Sequence, residues 1–296
     1  MLSILIPVYN YDIRALVNTI HKQLIQSDIE FEIIVGEDSP KNHIESINKE
    51  IKKLKNTQYT SNKQNIGRVA TRQQLAEKAI YRWLLFLDAD VMPKSEKFII
   101  NYLKFINSNY RVIYGGFYYK TEKPDVNRVL RWKYGRSKEQ LKAVKRNISP
   151  YRVVISANML IKKQTFLDLN SRITRKGYGY DNYFGAKLKE HAIKIFHIDN
   201  EVIHLGLECN EIYLKKIESA IETLLNLYEN NELKNSENSL LKAYHKLKPL
   251  GLIGLIVWLF KKFRKNLKSN ILGPNPNIQL LQFYKLAYFC YIDSKP

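Results

Sequence analysis

Leu2-Ser3-Ile4-Leu5-Ile6-Pro7-Val8-Tyr9-Asn10 opens the chain, and Trp83-Leu84-Leu85-Phe86-Leu87-Asp88-Ala89-Asp90 follows it further on. Short, unbroken apolar runs of this kind read as strands buried on both faces of a parallel sheet. Ligands of open α/β sheets collect at the carboxyl ends of such strands, and both runs end in residues able to hold one. Asp88 and Asp90 are separated only by Ala89. Two carboxylates so close repel each other, and a divalent cation with a phosphorylated ligand is a common way to offset that repulsion. Asp-Ala-Asp alone also has a plainer reading, because acids begin turns and cap helices, here near Pro93 to Glu96.

Working outward, Phe31-Glu32-Ile33-Ile34-Val35-Gly36-Glu37-Asp38-Ser39 is another apolar strand ending in acids, and Asn65-Ile66-Gly67-Arg68 opens a helical stretch carrying Arg68 and Arg72. Strands near 2 to 9, 31 to 36, 57 to 61 and 82 to 88 alternate with helices near 12 to 26, 41 to 54, 67 to 81 and 95 to 107. That alternation predicts βαβ units and a parallel sheet. Ile13, Leu16, Val17, Ile20 and Leu24 fall at helical spacing and read as core. Arg111 to Tyr119 reads as a further strand, the basic stretch 127 to 147 as an exposed helix, and Ser149-Pro150 as a loop.

The chain has 296 residues, 45% of them hydrophobic, enough to bury a full core. Cys209 and Cys290 lie far apart, so no disulfide framework or metal-spaced pair is implied and a reducing, cytoplasmic setting is the expectation. The run from Leu2 to Val8 lacks a basic leader and a small-residue cleavage site, so it does not read as a secretory signal. A net charge of +20 implies an anionic partner: nucleic acid, an anionic membrane surface or a phosphorylated substrate. No nucleic-acid reading device accompanies the charge, which argues against the first. Leu250 to Phe260 is apolar, with Lys246 and Lys248 before it and Lys261, Lys262, Arg264, Lys265 and Lys268 after it. That run is too short to span a bilayer, which needs about 20 apolar residues. It suits a helix lying in an anionic interface through residues 246 to 268, with Trp258 at headgroup depth; the alternative is a packed helix with a solvated basic end. The aromatic segment from Leu280 to Phe289, after the Gly273-Pro274-Asn275-Pro276 break, is expected to pair with it as one docking surface.

Four of these stretches together resemble the family 2 glycosyltransferases of the GT-A fold. Leu2 to Asn10 is similar to the family's opening strand and Glu32 to Ser39 to its strand ending in paired acids. Asn65 to Arg72 resembles its Asn-x-Gly-x-x-x-x-Arg stretch, and Leu85 to Asp90 its metal-binding Asp-x-Asp strand, all in the family's order. A weaker likeness runs through Ser156 to Ile161, Gly177 to Asn182, Phe196 to Asp199 and Val202 to Gly206. The resemblance implies an α/β, Rossmann-like GT-A fold with a mainly parallel sheet and flanking helices, plus a C-terminal helical extension. The catalytic domain would span 1–210, with a nucleotide-sugar half (1–107) and an acceptor half (108–210), and the extension 211–296.

The activity it implies is inverting transfer of a sugar from a nucleotide-sugar, UDP-linked, to an acceptor hydroxyl, with Mn²⁺ or Mg²⁺. A surface polysaccharide or lipopolysaccharide-type glycan, or a lipid-linked acceptor, is the expected setting, at the inner face of the cell membrane. By the resemblance, Pro7, Val8 and Tyr9 cradle the nucleobase, Asp38 accepts the uracil imide proton and Arg68 reaches the pyrophosphate. Asp90 holds the metal, His204 completes its shell, and Asp88, with Ala89 beside it, lies nearer the ribose and touches the metal through water. Asp181 is the general base, with helix capping as its competing role. Acceptor contacts are expected from Ser156 to Met159 and Arg172 to Tyr180, with Asn158 and Tyr180 foremost. The chain departs from the family pattern at Glu37, Ser39 and Tyr180, the last standing where relatives carry the first acid of a pair. A sugar nucleotidyltransferase would need a Gly-rich, Arg/Lys-bearing loop where Val8 to Asp12 stands. A catalytically inactive, membrane-docked binding protein of the same fold is the other reading.

Overall fold

The computed structural model describes residues 1–39, 43–173, 175–233 and 236–295. The apolar runs and the helically spaced stretches alternate as β1 (Leu2–Val8), α1 (Arg14–Ile25), β2 (Phe31–Glu37), α2 (His43–Asn48), β3 (Thr57–Ser61), α3 (Arg68–Lys78) and β4 (Trp83–Leu87). A 3₁₀ turn, Lys49–Lys53, continues α2; residues 41 and 42, where that helix was expected to begin, lie outside the described residues. Next come β5 (Val91–Pro93), α4 (Phe98–Leu103), β6 (Val112–Tyr114), β7 (Phe117–Tyr118) and α5 (Val129–Tyr134), which runs into a π-helical turn at Gly135–Glu139. They are followed by α6 (Ala143–Asn147), β8 (Asn158–Lys162), α7 (Lys163–Asn170), α8 (Asp181–Glu190), β9 (Ile195–His197) and β10 (Val202–His204). Four helices close the chain: α9 (Asn210–Glu229), α10 (Ser239–Leu247), α11 (Ile253–Leu272) and α12 (Ile278–Asp293).

The strands β3-β2-β1-β4-β8-β6-β9 form one sheet in that order. β1 to β4 pair in parallel, as the alternation with helices predicts, whereas β8 runs antiparallel to both β4 and β6. The central strands β1, β2 and β4 are buried almost throughout, because helices cover both faces. Ile13, Leu16, Val17, Ile20 and Leu24 join the core cluster with β1 and β2, as their spacing requires. A second, three-stranded sheet, β5-β10-β7, was not apparent from the sequence. Its strands are two or three residues long, too short to carry a period.

The chain divides into two compact units: residues 1–118, 141–176 and 191–206, and residues 119–140, 177–190 and 207–296. Among the described residues the first holds the ten strands, and in the second every regular element is helical. The division differs from the boundary expected at 210, since α5 with its π-turn and α8 belong with the C-terminal helices. In the second unit α9 packs Leu214, Ile217, Ile221 and Leu224 inward at helical spacing. Asn238 and Asn277 cap α10 and α12, each side-chain oxygen accepting two backbone N–H groups.

α11 is 20 residues long, extending well beyond the apolar run. α12 packs against it, but Leu281, Tyr284, Tyr288 and Phe289 are buried, and Tyr288 Oη donates to Glu222 Oε1 at 2.6 Å. The segment therefore adds little to the joint docking surface expected of it. Within residues 246–295 the exposed large apolar side chains are those of the turn before α11 and of α11 itself: Leu250, Leu252, Leu255, Trp258 and Phe263. Among the described residues no helix is long and apolar enough to cross a membrane.

Candidate functional site

The carboxyl ends of β1 and β2 are held together by acids. Glu37 is fully buried and accepts the N–H groups of Asn10 (3.0 Å) and Ser39 (3.1 Å) and the hydroxyl of Tyr59 (3.4 Å). Burial raises its carboxyl above the usual range, against the lowering effect of those donors. Asn10, with φ of 50°, sits in the left-handed region that Asn tolerates well. Asp38 shapes the loop ahead of α3: its Oδ1 accepts from Ile66 N (2.9 Å) and Asn62 Nδ2 (3.0 Å), and its Oδ2 from Gly67 N (2.8 Å). Val8 is buried and Pro7 half-buried, while Tyr9 is 64% exposed, leaving its ring face open.

At the end of β4 the first acid of Asp-Ala-Asp is held by arginines. Arg72 Nη2 donates to Asp88 Oδ1 at 2.5 Å and to the Ser156 carbonyl at 2.8 Å; Arg68 Nη2 donates to Asp88 Oδ2 at 2.6 Å and to Ser156 Oγ at 3.2 Å. Arg68 and Arg72 are one turn apart on α3, so both reach the same carboxylate. Burial alone would push the Asp88 carboxyl up, but the two guanidinium groups outweigh it and hold the carboxyl below its ordinary value. Arg72, to which the sequence assigns no role, is the more buried of the two: its side chain is 7% exposed against 43% for Arg68. Asp88, expected beside the metal, thus spends both oxygens on arginines, and Arg68, expected at the pyrophosphate, reaches Asp88. Ala89 is half-buried against the core.

Asp90 meets His204 through the small sheet. β10 pairs antiparallel with β5 so that His204 lies opposite Val91, and Leu205 N donates to the Asp90 carbonyl at 2.8 Å. This register brings His204 Nε2 to 3.9 Å from Asp90 Oδ2. The Phe117 ring stands edge-on to the imidazole at 5.7 Å. Gly206 is a requirement that sequence reasoning missed, for a Cβ there would overlap the Asp90 carboxylate. Tyr11 also faces this end: its hydroxyl pKa is raised by burial and then by the Asp90 and Asp12 carboxylates. Among the described residues no three His, Cys, Asp or Glu side chains converge as a metal cage. One carboxylate oxygen and one imidazole nitrogen fit Mn²⁺ or Mg²⁺ when phosphate oxygens and water supply the other positions.

Other predicted residues fall elsewhere. Asn158 is fully buried in β8, where Oδ1 accepts from Tyr102 Oη (2.6 Å) and Nδ2 donates to the carbonyls of Gly116 and Asn200, both at 2.9 Å. Asn158 was expected among the acceptor contacts; here both polar atoms of its side chain are engaged within the fold. His197 is likewise buried, bonded to Arg146 through Nδ1 and to the Pro150 carbonyl through Nε2, and burial lowers its pKa to about 4. Asp181 and Tyr180 belong to the second unit. Asp181 is exposed in the first turn of α8, and Tyr180, half-buried, supplies the carbonyl that accepts from Phe184 N at 2.9 Å. Of the acceptor loop expected at 172 to 180, Thr174 lies outside the described residues.

A mainly parallel sheet with acids at the carboxyl ends of β2 and β4 is the architecture of a nucleotide-binding α/β protein. The model of glycosyl transferase family 2 matches residues 3–166, more than half of the chain, and the protein belongs to that family. An uncharacterized glycosyltransferase of Rickettsia felis is 35% identical over 107 residues, which is 36% of this chain and only 17% of that protein. The mannosyltransferase PcManGT of Pyrobaculum calidifontis, solved with GDP-Man and Mn²⁺, shares the fold with a TM-score of 0.56. The match has 12% identity and covers 99% of this chain and 88% of that one. Glucosyl-3-phosphoglycerate synthase of Mycobacterium tuberculosis, solved with Mn²⁺, UDP and glucosyl-3-phosphoglycerate, gives 0.52 at 14% identity, over 76% of this chain and 79% of that one.

Proposed function

We propose that the protein transfers a sugar from a UDP-sugar to an acceptor hydroxyl with inversion, as a step in building a surface glycan. The observation that carries this reading is the register that brings His204 to Asp90 at the end of β4, beside an Asp88 already neutralised by two arginines. Asp90 and His204 are the side chains assigned to a divalent cation. When bound, the cation stabilises charge developing on the diphosphate leaving group. Two neighbours of the same fold were each solved with Mn²⁺ and a nucleotide, one GDP-linked and one UDP, which supports a nucleoside diphosphate without choosing the base. The choice of uracil rests on Asp38: among the described residues its Oδ2 accepts only the Gly67 N–H, which leaves capacity for the imide, and Tyr9 offers an open ring to stack.

Asp181 is assigned as the base that takes the proton of the acceptor hydroxyl as its oxygen attacks the anomeric carbon. Exposure at a helix start leaves its carboxylate available. The membrane-facing element is α11: Leu255 and Trp258, 52% and 53% exposed, share a face, and the Lys262 ammonium lies 4.9 Å from the Trp258 ring. From Lys246 to Lys268 there are seven Lys or Arg and no acid. Such a surface suits an anionic lipid interface.

Calorimetric titration of the full chain with UDP and with GDP, each with Mn²⁺ or EDTA, tests the donor site. Metal-dependent binding of UDP in preference to GDP is the expected result; no binding of either nucleotide overturns the reading. Asp181→Asn should abolish transfer and spare UDP binding, and unchanged turnover would remove Asp181 from the mechanism. Sedimentation with vesicles containing phosphatidylglycerol, lost on Trp258→Asp, tests α11; equal recovery of both proteins with the vesicles counts against it.

A further inference from the structure

Within the second unit a cavity of about 530 Å³ opens among α5, α8, α9, α10 and α12, a volume within the range of ligand pockets. Its wall is apolar where Ile217 and Ile221 of α9 face Phe283 and Leu286 of α12. Its polar side is formed by Asn182, the residue after Asp181, with Gln282 and Lys285 of α12. The Asn182 amide is already fixed, its Oδ1 accepting from Asn238 Nδ2 at 2.7 Å. Gln282 and Lys285 differ from it. The half-buried Gln282 amide makes no hydrogen bond among the described residues, and the Lys285 ammonium meets the Tyr134 hydroxyl at 3.4 Å and ring at 5.4 Å. No carboxylate pairs with Lys285 among the described residues; the nearby acids of α9, Glu218 and Glu222, accept instead from Tyr284 and Tyr288.

A half-buried cation without a counter-ion, an amide without a partner and an apolar wall define a ligand with an anionic head and an apolar arm. We propose that this cavity binds the phosphate and the first part of the hydrocarbon chain of a lipid-phosphate-linked acceptor. Lys285 and Gln282 take the phosphate, and Ile217, Ile221, Phe283 and Leu286 take the chain. This deepens the proposed function and rests on Asp181 as base, because Asn182 at the rim is its neighbour in the chain. An acceptor held by its carrier there would present its sugar hydroxyl from the α8 end of the cavity. The exposed face of α11 would then serve only to keep the protein at the surface where such carriers reside.

The probes are farnesyl phosphate and dodecyl phosphate, kept below micelle-forming concentrations, against farnesol and inorganic phosphate, titrated into the full chain. One molecule of either lipid phosphate is expected to bind, at least ten-fold more tightly than farnesol or phosphate. A preference for farnesyl over dodecyl phosphate identifies a prenyl carrier, and equal binding a general alkyl phosphate; both outcomes support the site. Lys285→Gln should weaken the two lipid phosphates about ten-fold and leave farnesol unchanged. Ala243→Phe, which fills the cavity from α10, should abolish binding of all hydrocarbon probes, with circular dichroism verifying that each variant is folded. Trp258→Asp should change nothing in this assay. Failure of every probe to bind, unaltered affinity in Lys285→Gln, or loss on Trp258→Asp but not on Ala243→Phe would overturn the proposal. The metal-dependent UDP titration, run on the same preparation, reads the donor site separately, so the two failures are distinguishable.

Discussion

Replacing Arg72 by Met leaves most of the apolar stem in place beside the Phe86 ring, 5.6 Å from the guanidinium carbon, and removes only the charge and its hydrogen bonds. Two bonds are lost, 2.5 Å to Asp88 and 2.8 Å to the Ser156 carbonyl. Breaking one partner out of a buried ion pair costs about 3–5 kcal/mol, because the remaining charge is left without compensation. Here Arg68 stays on the other oxygen of Asp88, but at 43% exposure it offsets only about 0–1 kcal/mol. The net expectation is a loss of about 2–5 kcal/mol, measured as the shift in urea midpoint at constant slope. Adding Asp88→Asn to Arg72→Met should cost much less than Asp88→Asn in the parent, since the carboxylate it removes is already uncompensated. The acid limb of the stability curve should move as well. Asp88 is depressed in the folded protein, so its contribution is present above the unfolded carboxylate pKa and lost as pH falls through the lower folded value. Without Arg72 that loss should begin at higher pH. Additive effects of the two substitutions, or an unmoved acid limb, would refute the account of Asp88 as an arginine-held carboxylate.

The buried His197 sets another limb. Its pKa falls from about 6.5 unfolded to about 4 folded, so its contribution is complete above pH 6.5 and lost as pH drops toward 4, up to roughly 3 kcal/mol. Urea midpoints taken between pH 7 and 4 should fall accordingly, and His197→Gln should flatten that fall; an identical slope in the variant contradicts the assignment. Gly206→Ala should weaken Mn²⁺-dependent UDP binding at least ten-fold by displacing the Asp90 carboxylate, with UDP affinity in EDTA unchanged. Equal Mn²⁺-dependent affinities in calorimetry would show that Asp90 does not need that space. Mn²⁺ titrated alone should bind weakly, and at least ten-fold more tightly when UDP is present; equal affinity in the two titrations would mean that the protein carries a complete cage of its own.

The fold was legible where burial on two faces writes itself into composition. Leu84 to Leu87 and Ile33 to Val35 are apolar without interruption because helices cover the sheet on both sides, and α1 shows its core face at helical spacing. The pairing of β10 with β5 was not legible. Three-residue strands have no period, and the meeting of Asp90 with His204 is a matter of register between distant segments. Arg68 and Arg72 were visible as a pair one turn apart, but which of them turns inward depends on the packing of α3 against β1 and β2, which spacing alone does not report. The burial of Asn158 was hidden for a related reason. A polar residue after Ser156-Ala157 looks like a loop side chain, yet it is the first residue of β8 and knots Tyr102, Gly116 and Asn200 together.

The repulsion expected within Asp-Ala-Asp is resolved unequally, and the inequality bears on the chemistry. Asp88 has its charge offset by two arginines, one of them almost wholly buried, before any ligand arrives. Asp90 keeps only a 3.9 Å approach to His204, an attraction that exists only when the imidazole is protonated. A cation seated there would require the imidazole neutral and would find one carboxylate and one imidazole nitrogen, too few donors for a tight site without phosphate oxygens. On the proposed reading, cation affinity would therefore depend on the presence of a diphosphate. On the same reading Asp88 would shape the site through α3 and the Ser156 loop, so Arg72→Met, which touches neither Asp90 nor His204, should also weaken Mn²⁺-dependent UDP binding in calorimetry.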